Sequence, residues 1–381
     1  MVARPVTVLT AATALLLGAA GSLAPAASAA PTSPAASCAE PEPGRTPELR
    51  AAETVGMDPA AVSAAVSFGA QHLAHAVQIY RHGCLVGQHL ATSEIAMPLA
   101  SGSKGVAAVA IGRAVTLGYL GIDDPLATYF PEADPAHGRI TVRQILNQTS
   151  GMAFTWPTDI ASTAAGTSVH DALTAPIAAE PGTTFLYAQN VLVLLAEIIS
   201  RTTGTDFLDF LQREVMGPIG IERSSWRWTE DPSGHAMVSG GLSMRPSDLA
   251  RIGRLLLQNG RWENRNLIDP AYIEAATTPS SANGGYGFLW WLNAGESYRS
   301  VDVPARLRTR RVFPGLPEDT YAFSGALGQF AVMIPSLDMV IVRLGVPDTF
   351  DPADPFSFLT GTSNPNNTEL FGKAVAAVTD R

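Results

Sequence analysis

The chain has 381 residues, 46% of them hydrophobic and only 15% charged, with a formal net charge of −9. That length allows two or more structural units around a large core, and the composition excludes a disordered chain. The acidic balance excludes an electrostatic footprint for nucleic acid.

Residues 1–29 read as a secretory signal peptide. Arg4 supplies a short basic region, an apolar stretch runs from Val6 to Ala20, and Ala27-Ser28-Ala29 offers small residues for cleavage. Pro25 and the small-residue end argue against an uncleaved anchor, and no later segment reaches spanning length without charges or breakers. The expectation is a secreted or extracytoplasmic protein with no membrane span after signal removal. Residues 30–54 begin rich in Pro, Ala and Ser and read as a flexible lead-in. Export permits a disulfide between the two cysteines, Cys38 and Cys84. Unpaired thiols, or lipid attachment at Cys38, are the alternatives.

A helix is predicted over 58–76, with Asp58 as cap and Pro59 in its first turn. Segments 77–83 and 85–92 read as strands of a hairpin around His82-Gly83. Helical spacing follows at 102–118, 140–148, 190–204, 207–219 and 245–260, with Gly204 and Gly260 where helix stops belong. Segments 286–292, 329–336 and 339–346 are β-rich, and a helix closes the chain over 368–380. The basic run 306–311 reads as a solvated loop. This order predicts an α/β (α+β) domain over 55–381. An antiparallel sheet built from both chain ends (55–100 and 285–381) would hold a mostly helical insertion (101–284).

The stretch "LASGSKGVAAVAIGRAV" (99–115) carries the chemistry. A serine hydroxyl needs a nearby base to act as a nucleophile at neutral pH. On a helix, positions i and i+3 share a face, so Lys104 projects beside Ser101 while Ser103 points elsewhere. The helix starts close to Ser101, where free N–H groups favour an oxyanion. Tyr187 precedes an apolar helix, and a lysine ammonium beside it would lower the phenol's pKa and make it a base. A capping serine with an ordinary lysine, and a core tyrosine, are the non-catalytic readings. There is no G-x-S-x-G elbow, no H-E-x-x-H, no Walker loop and no dinucleotide fingerprint. His72, His75, His82 and His89 lack an acidic or thiol partner that would complete a metal set, so no metal and no cofactor are expected.

An ordered set of segments resembles the serine β-lactamase superfamily, in its class C-like branch. The set is "SGSKGVAAVAIGRAV", "ITVRQILNQTSGM", "PGTTFLYAQNVLVLLAEII", "GGLSMRPSDLARIGRLLLQNG", "YGFLWWL" and "SGALGQFAVMIPSLDMVIVRLG". The resemblance covers 55–375 and implies a β-lactamase/transpeptidase-like fold. It implies that Ser101 is acylated, that Lys104 is its proton partner and that Tyr187 is general base and acid. The Ser101 N–H would form half of an oxyanion hole, the other half coming from a strand near 324–329. Two departures stand out. Gln189 occupies a place that is usually Asn, with Asn190 next to it. Phe323-Ser324-Gly325 lacks the usual cation of the third motif, which holds a substrate carboxylate. The "GALGQ" pattern resembles the 6-aminohexanoate-hydrolase-like and esterase-like members, with Ala326 or Gly328 as the second oxyanion donor. Arg343 would be either an exposed strand arginine or a replacement cation.

The functional expectation is a serine hydrolase cleaving a small-molecule or short peptide-like ester or amide through an acyl-enzyme on Ser101. A D-Ala-D-Ala carboxypeptidase or β-lactamase is the alternative. An inactive binding scaffold is the reading from another class. Segments 153–180 and 294–320 are candidates for pocket walls. The sequence carries no signal for oligomeric state.

Overall fold

A computed structural model describes residues 37–348 and 364–380. The signal-peptide reading and residues 30–36 of the lead-in lie outside the described residues. Among the described residues no helix is long and apolar enough to cross a membrane.

The Asp58 carboxylate accepts from the N–H groups of Ala60 (2.7 Å) and Ala61 (3.0 Å) and starts helix α1, Pro59–Gln71. The helix ends earlier than its spacing suggests, because Leu73 turns left-handed at φ 55° and Ala74 already pairs with Gly345. Strands β1 (Ala74–Arg81) and β2 (Cys84–Leu90) form the expected hairpin. His82 (φ 49°) and Gly83 (φ 73°) both take the positive φ that a two-residue hairpin turn demands.

Helix α2, Gly102–Thr116, is almost entirely buried, as a helix apolar on every side must be. Thr141 and Gln144 form a capping box for the short helix Val142–Leu146. A 3₁₀ turn at Asn190–Leu192 leads into α3, Val193–Thr203, which stops at left-handed Gly204. The predicted helix 207–219 is α-helical only over Phe207–Leu211, widens to a π turn over Gln212–Met216 and tightens to a 3₁₀ turn over Gly217–Ile219. Helix α4 spans Pro246–Leu257.

The chain's end supplies β3 (Trp291–Leu292), β4 (Tyr321–Gly325), β5 (Gln329–Ile334), β6 (Met339–Gly345) and helix α5 (Pro365–Ala376). One antiparallel sheet results, in the order β2-β1-β6-β5-β4-β3. The two chain ends meet at the β1–β6 pair, with Ile79 opposite Ile341. Val77 turns toward α1, while Tyr80, paired with Val340, turns to the face covered by α4. Covering on both faces explains why these strands read as continuous apolar runs.

Three further segments differ from expectation. Most of 286–292 is a buried turn, and only Trp291–Leu292 joins the sheet. The run 306–311 contains a hairpin strand, Leu307–Arg308, and Arg311 donates to the carbonyls of Asn293 and Ala294 (2.8 Å each). The described part of the lead-in is tied down. Cys38 is bonded to Cys84, Arg50 N–H donates to Leu85 O (2.8 Å), and Arg251 donates to the carbonyls of Pro41, Glu42 and Arg45.

Candidate active site

Ser101 stands at the N-cap of α2 and is partly exposed. Ala100, just before it, is held in the left-handed region at φ 47°, a conformation uncommon for a residue with a Cβ. Ser101 makes no capping bond with its side chain, so its hydroxyl is free for Lys104. Lys104 Nζ donates to Ser101 Oγ at 2.9 Å and to Ser239 O at 2.5 Å. The i, i+3 face-sharing read from the sequence is thus realised. Lys104 is completely buried, and burial alone brings its pKa down from 10.5 to about 7.

Ser103 faces the core. Its hydroxyl donates to Ala100 O (2.7 Å) and accepts from the Leu242 N–H (3.0 Å). These two bonds seam the start of α2 to the segment carrying Ser239.

Tyr187 is buried with its ring centroid 4.9 Å from Lys104 Nζ. Its hydroxyl interacts with those of Ser101 and Tyr286. Burial nevertheless dominates and pushes the phenol up to about 12. The expected lowering by a lysine ammonium is therefore reversed by burial, which lowers the pKa of Lys104 as well. The amine is the group poised to accept a proton, and the phenol is poised to keep one.

Gln189, read from the sequence as a substrate-binding candidate, and Asn190 beside it both bond to backbone carbonyls. Gln189 folds back, its Nε2 donating to Tyr187 O (2.5 Å), and Asn190 Nδ2 donates to Ser168 O (3.2 Å). Neither hydrogen-bonds Lys104, whose second partner is the Ser239 carbonyl. The Asp159 carboxylate, in the short helix Trp156–Ala165, holds the segment instead. Its Oδ2 accepts from the N–H groups of Gln189 (2.9 Å) and Asn190 (2.7 Å).

On β4, Gly325 lies against the start of α2: a Cβ there would sit 2.0 Å from Leu99 O and 3.0 Å from Gly102 N. Only glycine permits this approach. Ala326 follows directly, at the end of the strand that lies against the start of α2. Gly328 lies elsewhere, its carbonyl accepting from Arg343 Nη1 at 2.7 Å. Ser324 is buried in the strand.

Phe323 packs into the core. A Cβ on Gly105 of α2 would lie 2.2 Å from its ring, and the Trp290 ring is 5.9 Å away. Arg343 is neither an exposed strand arginine nor a replacement for the missing cation. It is buried and donates to the carbonyls of Gly328, His72 (3.0 Å) and Val346 (2.8 Å). Three of the four histidines have separate partners: His72 meets Asp348, His82 meets Asp338 (3.0 Å), and His75 meets Thr92 (3.1 Å). Among the described residues no three His, Cys, Asp or Glu side chains are grouped to hold a metal ion.

Sequence reasoning missed three members of this arrangement. The Ser239 carbonyl has no side-chain signature. Asp159 stood in a stretch read as a wall loop. Tyr286 stood in a segment read as a strand.

The family model for Beta-lactamase matches residues 57–345. The 6-aminohexanoate-dimer hydrolase of Paenarthrobacter ureafaciens is 22% identical over 230 residues, covering 52% of this chain and 58% of that protein. The lovastatin esterase of Penicillium rubens is 23% identical over 189 residues, covering 42% of this chain and 46% of that protein. The chain thus spans about half the length of these curated relatives. The crystal structure of a penicillin-binding protein homologue from Caulobacter crescentus superposes with a TM-score of 0.62 at 18% identity, covering 84% of this chain and 99% of that one. That likeness shows a shared fold.

Proposed function

We propose that this chain, which belongs to the beta-lactamase family, is a serine hydrolase that cleaves esters or amides through an acyl-enzyme on Ser101. The observation that carries the reading is Lys104 Nζ at 2.9 Å from Ser101 Oγ, in a setting that brings the amine to about 7. Neutral Lys104 takes the Ser101 proton as Oγ attacks the substrate carbonyl. The N–H groups of Ser101 and Ala326 hold the oxyanion. The Tyr187 phenol gives its proton to the leaving group, and the Lys104 ammonium returns one to Tyr187. Water then releases the acyl group by the reverse sequence. This assigns the base to Lys104 and the acid to Tyr187, each worth about 10²–10⁴-fold in rate.

The residues of β4 support a substrate class. A carboxylate-bearing β-lactam or D-Ala peptide wants a cation where Phe323 fills the space against Gly105. An acyl group without a carboxylate suits this site better. The names of the two curated relatives, an amide-dimer hydrolase and an esterase, support that class. An inactive scaffold would have no need of a completely buried lysine, which is costly to keep.

A serine-directed acylating probe, with the adduct mapped by mass spectrometry, tests the assignment. Label on Ser101 is expected; label on Ser103 alone, or on no serine, rejects it. Export belongs to the same proposal, supported by the leader-like segment 1–29 and the Cys38–Cys84 bond. N-terminal analysis of protein recovered outside the cytoplasm is expected to begin after residue 29.

A further inference from the structure

Tyr286 is completely buried in an aromatic cage. Its ring lies edge-on to Phe185 (5.1 Å), Tyr187 (6.1 Å) and Trp291 (5.0 Å). Its backbone is fixed by bonds to Asn283 O and from the Ser280 N–H (3.2 Å each). Its hydroxyl faces and interacts with that of Tyr187, but without the geometry of a full hydrogen bond to any described group. A phenylalanine would pack the same cage without burying an unsatisfied hydroxyl, which is expensive to leave unpaired. A buried donor that faces a proposed proton donor without a full hydrogen bond points to a bond that closes as charge develops on that neighbour.

We propose that Tyr286 is a positioning residue whose hydroxyl donates a hydrogen bond to the Tyr187 oxygen as that oxygen gives up its proton. The inference rests on the acid role given to Tyr187 above. In that step the Tyr187 O–H bond breaks and an O–H or N–H bond forms on the leaving group. The negative charge rests on the Tyr187 oxygen until the Lys104 ammonium returns a proton. Tyr286 keeps its own proton throughout. Its donation matters most where the phenol must ionise furthest, on leaving groups too basic to depart without a proton.

The test compares two esters of one acyl group. An alkyl ester needs leaving-group protonation, and a p-nitrophenyl ester does not. For Tyr286→Phe, kcat/KM on the alkyl ester is expected to fall about tenfold or more, and on the p-nitrophenyl ester to stay within about threefold. Equal losses on both, as a packing role would give, or no loss on the alkyl ester, overturn the inference. Tyr187→Phe runs alongside. If it lacks the leaving-group dependence, the acid role of Tyr187 fails; if it shows the dependence and Tyr286→Phe does not, only this inference fails. A second variant covers the case in which Tyr286→Phe does not fold. 3-Fluorotyrosine at position 286, close in shape and a stronger donor, is expected to retain the alkyl-ester rate, and a large selective loss overturns the inference.

Discussion

Replacing Asp159 separates what its charge does from what its oxygen does. Both backbone donors, Gln189 N–H and Asn190 N–H, converge on the same Oδ2 at 2.9 and 2.7 Å. Burial raises the carboxyl pKa despite these bonds, so the charge is tolerated rather than favoured. The sign follows: a folded pKa above the unfolded value makes the residue's contribution largest at low pH and smaller as pH rises through the folded pKa. Asp159→Asn keeps an oxygen at the same reach and is expected to cost less than about 1 kcal/mol. Asp159→Ala leaves two N–H groups without an acceptor, at about 1–3 kcal/mol each. The carboxylate borders a cavity of about 370 Å³, which lets water re-solvate them and places the total near the lower end, about 2–3 kcal/mol. Urea unfolding of the three proteins reads these differences. Ester turnover should follow, because Gln189 and Asn190 come directly after Tyr187, and a displacement of about 1 Å in a reacting group costs about 10²-fold. An Asn variant as damaged as the Ala variant, or an Ala variant within about 0.5 kcal/mol of wild type, refutes the reasoning.

Lys104 titrates near 7, and only the neutral amine accepts the Ser101 proton, so kcat/KM on an ester should rise with pH through about 7; a flat profile from about pH 5 to 9 contradicts this. The same lowered pKa makes buried Lys104 a stability cost, full below about 7 and gone above the unfolded value near 10.4, so Lys104→Met should be inactive and melt higher at pH 6. Ser103→Ala strips the Leu242 N–H of its acceptor and should cost about 1–3 kcal/mol by denaturant unfolding while the acylating probe still labels Ser101. Cys38 and Cys84 are 46 residues apart, so replacing both with serine should lower stability by up to about 4 kcal/mol, read by melting with and without reductant.

The sequence showed most of the sheet, because strands buried on both faces read as short apolar runs, and the Ser101–Lys104 pair, because i and i+3 share a helix face. The Gly204 and His82-Gly83 signals also translated directly, since each marks a backbone conformation. What stayed hidden depends on tertiary surroundings. The pKa order of Lys104 and Tyr187 is set by burial, which no spacing reveals. Asp159 and Ser239 act on residues 30 and 135 positions away, through one carboxylate oxygen and one carbonyl. The apolar run at 286–292 arose from burial of a turn and not from pleating, which is why it read as a strand. Arg343 is held by carbonyls of His72, just before β1, and of Gly328, just before β5, which lie far from it in sequence.

The tethered N-terminal segment has a further consequence. Strand β2 is the long edge of the sheet, whereas the opposite edge, β3, is only two residues long. Leu49 bridges to Leu85 in parallel, and the Cys38 N–H donates to His82 O at 3.1 Å, so the segment 38–50 lies over that edge. An uncovered edge is a template on which a second copy can add a strand. Reducing the Cys38–Cys84 bond should therefore register first as concentration-dependent self-association, while individual molecules still turn over substrate. In this reading the tail protects solubility and leaves catalysis to the rest of the chain.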